Sequence, residues 1–279
     1  VGSEMCIRDR NKVLELAENQ SSLLSAAKFD QNYNSQYSYI AKVGYPMGMM
    51  YGFIYEGTYK YEDFDKVGDT YTLKRNVPYF SSESNTQPGM PKYADLNGDG
   101  IIDDNDRTMI GNGMPKHTGG FTNNFEYKGF DLSIFFQWSY GNDVLNANRL
   151  FFENSNKTRD LNQYASYADR WTPENPESNI PRATDSGSNK VFSTRIIEDG
   201  SFLRLKTVSL GYTLPKQLTK KWKIDNARVF VAGQNLWTCT GYSGYDPEVS
   251  IREGALTPGL DFSAYPRAYS ISFGINLGF

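Results

Sequence analysis

Strict alternation of large apolar with small or polar residues marks the last stretch of the chain. Tyr269, Ile271, Phe273, Ile275, Leu277 and Phe279 fall on one side of an extended strand, and Ser270, Ser272, Gly274, Asn276 and Gly278 on the other. A second run repeats the pattern: Phe130, Leu132, Ile134, Phe136, Trp138 and Tyr140 alternate with Asp131, Ser133, Phe135, Gln137 and Ser139. At ~3.3 Å per residue and a tilt of ~45°, such strands rise roughly 23 Å, close to the ~25 Å apolar band of a membrane β-barrel. One strand of this kind suits a soluble sandwich equally well. Two, each presenting six large apolar groups, need a very extensive partner sheet or a lipid phase.

Three further strands are predicted. In 121–127, Phe121, Asn123, Phe125 and Tyr127 share a side, and only Lys128 and Gly129 separate this strand from the next. In 202–214, Val208, Leu210, Tyr212 and Leu214 oppose Thr207, Ser209, Gly211 and Thr213. Arg204 and Lys206 stand toward the loop end, and Pro215 stops the strand. The run 227–237 is also a strand, but Val229 and Val231 compete with Phe230 and Ala232 and leave its faces undecided. Between the strands, 216–226 reads as a compact basic turn. Residues 141–200 read as a long polar loop with a short helix over 161–171, and 238–267 as another loop. Residues 11–24 read as irregular, and the Tyr- and Gly-rich stretch from 33 to 80 offers only short strand-like pieces.

The segment 95–106, DLNGDGIIDDND, has the spacing of a calcium loop. Asp95, Asn97, Asp99, Asp103 and Asp106 occupy its positions 1, 3, 5, 9 and 12, Ile101 offers a backbone carbonyl at position 7, and Gly100 takes the sharp turn. Position 12 is Asp where a standard EF-hand has a bidentate Glu, and no helix pair flanks the loop. The expectation is an isolated calcium-stapled loop, against a metal-free cluster of Asp, Asn and Gly turns.

Composition narrows the chemistry. Of 279 residues, 39% are hydrophobic, 22% charged and 15% aromatic, so the chain can bury a core and leans toward β-structure. No run reaches the ~18 apolar residues of a membrane helix. A formal net charge of -3 points to no nucleic acid partner. Cys6 and Cys239 make no zinc spacing or disulfide framework, and the single histidine, His117, has no nucleophile motif around it, which argues against an enzyme. The opening VGSEMCIRDR is not a signal peptide. It resembles the translation of a transposase-end sequencing adapter, so the native sequence is expected to begin at Asn11.

From Asn11 onward the chain resembles the C-terminal portion of the SusC/RagA family of TonB-linked outer-membrane proteins of Bacteroidetes. The resemblance rests on the order and spacing of NKV at 11–13, KYADLNGDGIIDDND at 92–106, YKGFDLSIFFQWSYG, LRLKTVSLGYTLP at 203–215, GQNLWT at 233–238, GYDPE at 244–248, YP at 265–266 and the terminal aromatic strand. It implies an all-β fold, the end of an antiparallel transmembrane barrel of roughly 22 strands. It also implies a TonB-driven importer of oligosaccharides or peptides that works with a SusD-like surface lipoprotein. Under it the two alternating runs face lipid, and Phe279 resembles the aromatic end recognised by the barrel-assembly machinery. Residues 118–279 supply barrel strands, while 11–117, 141–201 and 238–267 are extracellular and the short turns periplasmic. The competing expectation is a secreted all-β glycan-binding module with a calcium-stapled loop.

Overall fold

The computed structural model describes residues 2–8, 11–31, 33, 35–154, 162–183, 190–251 and 254–279. Its largest sheet has six antiparallel strands: β1 (Gly2–Arg8), β2 (His117–Tyr127), β3 (Phe130–Tyr140), β4 (Phe202–Thr213), β5 (Asn226–Thr240) and β6 (Ser270–Gly278), paired in that order. The 130–140 strand has the bounds its alternation predicts. β5 runs three residues further than predicted, to Thr240. Lys128 and Gly129, with φ of 47° and 87°, make the two-residue turn from β2 to β3, a conformation that suits the twist of a hairpin. Pro215 ends β4, and a short helix, Lys216–Thr219, with a 3-10 turn, Lys220–Trp222, forms the basic connection to β5.

Those short connections lie at one rim of the sheet. The long ones gather at the other rim and fold together as a cap, where the polar-loop expectation is overturned. Residues 141–200 include a strand, Asp143–Asn146, and a helix, Asn148–Phe152, and Asp143–Asn146 lies between Ile197–Asp199 and Leu260–Asp261 in a three-stranded sheet. The segment before β2 carries a four-stranded sheet of Thr108–Asn112, Met49–Gly52, Tyr37–Lys42 and Ser22–Ala26, the last inside a stretch read as largely irregular. One buried cluster joins all three connections: Tyr39 and Met50, Leu145 and Leu150, Phe192 and Ile196, and Leu260. Apolar residues too sparse to form a core within any one connection form one between them. The helix expected over 161–171 is a 3-10 turn, Ala165–Asp169, and position 161 lies outside the described residues.

β1 pairs in register with β2. Pairing places Glu4 opposite Phe121, and Met5 and Ile7 opposite Gly120 and Thr118, so its polar and apolar positions are reversed relative to the other five strands. An open sheet edge presents backbone groups to any extended segment, whatever its side chains.

Candidate functional site: a two-faced wall and its external cap

Strand register settles which side chains share a face. Phe125, Leu132, Leu210, Val231 and Phe273 line up in one row across five strands. The neighbouring rows are Asn123, Ile134, Val208, Gly233 and Ile271 on one side, and Tyr127, Phe130, Tyr212, Val229 and Ile275 on the other. Phe136 and Trp138 continue this face opposite Leu205 and Leu203, beyond a bulge that sets Lys206 out of register. Leu277 faces Ala227 at the short-turn rim. The undecided strand is thereby resolved: Val229 and Val231 belong to the apolar face, and Phe230 to the other. Tyr269 and Phe279 flank the paired residues of β6 and are exposed.

No second sheet covers this face among the described residues. Phe273 is 81% exposed, and Phe125, Phe130, Leu210, Ile271 and Ile275 are exposed as well, while every described buried cluster lies in the cap. A sandwich puts its core between its sheets; here the core is elsewhere. At the cap rim, Trp138 Nε1 donates to Nδ1 of His117 at 3.1 Å, and the His117 and Tyr140 rings stack with centroids 5.0 Å apart. The single histidine is thus part of an aromatic band.

The opposite face is polar and carries its own cross-strand device. Arg228 of β5 reaches over β4 to Asp131 of β3, Nε donating to Oδ1 at 2.9 Å. Gly211 lies beneath this bridge, and a Cβ there would collide with the guanidinium. Gly211→Ala in the full-length protein is expected to push the tips of this flexible, partly exposed bridge aside and to cost about 1 kcal/mol or less. Removing Arg228 as well should recover part of that loss in thermal unfolding, and equal loss in single and double variants would refute the steric origin. Phe230 and Phe135, two aromatic residues on this face, lie over Gly274 and Gly120.

Near the cap rim the same face holds a buried charge cluster. Arg204, 2% exposed, donates to Asp246 at 2.5 Å, to Glu248 at 3.1 Å and to the Thr238 hydroxyl at 3.1 Å. Arg267 adds a second cation to Glu248 at 2.9 Å. Arg204 is recognisable in sequence as a cation near a loop end. Its partners sit in the GYDPE stretch, and nothing in the intervening pattern links the two. A second network joins the other connections: Glu153, 2% exposed, accepts from Arg149, Arg195 and the Ser166 hydroxyl, and Arg149 also donates to Glu198, which accepts from Ser243. Burial pushes the Glu198 carboxyl up, but the Ser243 hydroxyl and N–H, Asn146 and Arg149 outweigh it, and the group titrates below its usual range.

The calcium-like loop closes on itself. Asp95 accepts from the N–H groups of Gly98 and Gly100 at 2.7 and 2.8 Å, Asn97 from Asp99, Asp99 from Ile101, and Asp103 from Asn105. Asp106, fully buried, accepts from Leu96 at 2.8 Å and from Asp103 at 2.9 Å. The N–H of Gly100, and then those of Gly98, Asp99 and Asn97, hold the Asp95 carboxyl below its usual range against a smaller effect of burial. Among the described residues no three carboxylate, His or Cys side chains converge. The carboxylates of Asp95, Asp99, Asp103 and Asp106 ring the loop, each engaged by backbone.

A sheet one layer thick, apolar and uncovered on one face, polar on the other, with short turns at one rim and a folded cap at the other, defines a segment of the wall of an antiparallel transmembrane β-barrel. No protein-family model matches the chain. It is similar to the TonB-dependent receptor P3 of Formosa agariphila, with 32% identity over 98% of this chain and 26% of that protein. SusC of Bacteroides thetaiotaomicron, also a TonB-dependent receptor, is 28% identical over 71% of this chain and 18% of its own length. Among solved structures, one of the RagAB peptide transporter matches all of this chain and 26% of that one, with a TM-score of 0.75 and 24% identity. RagAB in the open-open state of a peptide importer matches with a TM-score of 0.70 and 25% identity. The chain belongs to the TonB-dependent receptors, in their SusC/RagA branch, and spans about a fifth to a quarter of the length of these relatives.

Proposed function

We propose that this chain is the C-terminal wall and external cap of an outer-membrane importer. In the whole protein, import of oligosaccharides or peptides is driven through TonB with a SusD-like surface lipoprotein as partner. The observation that carries this reading is the uncovered apolar face: five strands expose rows of Phe, Leu, Ile and Val that only lipid would cover at so large an extent. The cap rim is the extracellular one, because bacterial barrels have long external and short periplasmic connections. Function is transport through the barrel that this wall helps to enclose, with no bond made or broken.

Cell fractionation of the full-length gene product in a Bacteroidetes host tests this. The protein is expected in the outer membrane, extracted only by detergent, and uptake should stop when TonB is disrupted. Recovery as soluble protein without detergent would overturn the reading and favour a secreted glycan-binding module.

Two further assignments belong to the same proposal. Residues 1–10 are an adapter translation, supported by the reversed facing of Glu4, Met5 and Ile7 on an otherwise consistent wall; sequencing the locus upstream of Asn11 decides it. Asp95, Asn97, Asp99, Ile101, Asp103 and Asp106 bind calcium, supported by their spacing. Chelator is expected to expose 95–106 to protease and leave the barrel intact. Identical cleavage with and without chelator would remove the metal.

A further inference from the structure

A cleft of about 870 Å³ opens in the cap between the helix Asn148–Phe152, the stretch 162–166 and two parts of the last connection, 243–245 and 261–266. The Phe152 and Tyr164 rings in its lining stand with centroids 5.4 Å apart. Tyr245 and Tyr265, also in the lining, are 87% and 91% exposed, the most exposed large hydrophobic side chains among the described residues. Their hydroxyls have no hydrogen-bond partner among the described residues.

Charge in the cleft is already spent inside the protein. Arg149 is held by Glu153 at 2.9 Å and by Glu198 at 2.7 Å. Asp261 accepts the Tyr242 hydroxyl at 2.5 Å and the N–H of Ala264 at 3.3 Å. A charged ligand would find no unpaired counter-charge on these two lining groups. What remains available is aromatic faces with phenolic hydroxyls at their edges, beside neutral polar side chains such as Asn162 and Ser263. Such a surface suits a molecule with an apolar C–H face and a rim of neutral hydroxyls: the face stacks on the ring while the rim bonds to the phenol.

We propose that this cleft binds a neutral oligosaccharide, with Tyr245 and Tyr265 stacking on its sugar rings beside the Phe152–Tyr164 pair. The inference rests on the import reading and narrows it from oligosaccharides or peptides to the sugar class. A peptide would bring charged termini or side chains, which the paired state of Arg149 and Asp261 leaves unmatched.

The test uses the full-length receptor purified in detergent, titrated calorimetrically with maltohexaose, cellohexaose, laminarihexaose, xylohexaose and mannohexaose, and separately with hexa-alanine. At least one of the sugars is expected to bind. Tyr245→Ala with Tyr265→Ala should weaken that binding by about tenfold or more, the loss of two stacking contacts. Tyr245→Phe with Tyr265→Phe keeps the ring faces and should stay within about threefold of the parent. Absence of binding by all five sugars, unchanged affinity in the double alanine variant, or binding of hexa-alanine alone that the alanine substitutions abolish would each overturn the proposal. Fractionation of the same receptor separates the two levels. A receptor in the outer membrane that fails the sugar test loses only the cleft assignment, whereas a soluble receptor removes the import reading beneath it.

Discussion

Phe273→Arg in the full-length receptor is expected to cost about 2–4 kcal/mol of barrel stability, the penalty for a cation on the lipid face near mid-membrane. Phe273 stands near the middle of β6, and its row runs through Val231, Leu210 and Leu132 to Phe125 without one polar member. The side chain is 81% exposed, so the substitution breaks few packing contacts, and the loss reports the phase outside the wall. Ser272→Arg is the internal control. It is one residue away but points to the polar face, beside Ala232, and an exposed substitution there should stay within roughly 0.5 kcal/mol. Equilibrium unfolding in lipid vesicles, together with the amount of each variant reaching the outer membrane, gives both numbers. Equal losses for the two variants would show that the apolar face does not meet lipid.

The difference between those neighbouring positions is readable from sequence alone, because β6 alternates without interruption, as β3 does with Phe135 its one exception, and period fixes both faces. β5 was not readable in that way. Val229, Phe230 and Val231 are consecutive apolar residues, and only pairing with β6 shows that Phe230 fills the space over Gly274 while the valines extend the outer rows. The cap was still less legible. Tyr39, Leu145, Phe192 and Leu260 form one core, yet they come from three connections, each of which looks polar or irregular by itself. Nothing periodic marks a core assembled between loops. The calcium-like spacing at 95–106 was plain in sequence, but spacing fixes only where the carboxylates sit along the chain. Which way Asp95, Asp99 and Asp103 turn depends on the N–H groups that hold them.

Separating Arg204 from Asp246 should have the second large effect, and it is confined to the cap. Both side chains are almost completely buried, on a polar face that the last connection folds over. Arg204→Met leaves the Asp246 carboxylate without its cation and is expected to cost about 3–5 kcal/mol, whereas Arg204→Met combined with Asp246→Leu removes both charges and should cost much less. The loss appears locally, as faster opening of the connection after β5, because the strand ladder beneath does not depend on this pair. Hydrogen exchange at the Ile251 amide, which donates to the Leu260 carbonyl at 3.0 Å and keeps that acceptor in every variant, reads that opening directly. Acid provides an independent approach to the same contact. Burial pushes the Asp246 carboxyl up, but the Glu248 N–H, Arg204 and the Arg267 N–H outweigh it and leave the group below the usual carboxylate range. A carboxylate depressed by folding contributes its stability above its unfolded value and loses it as pH falls through the folded one. Protection of the Ile251 amide should therefore hold from neutral pH down to about 4 and decline only below that, and the double variant should show no such decline. If single and double variants open equally fast, the buried charge is not what pins the connection, and the apolar cap core around Leu260 must hold it instead.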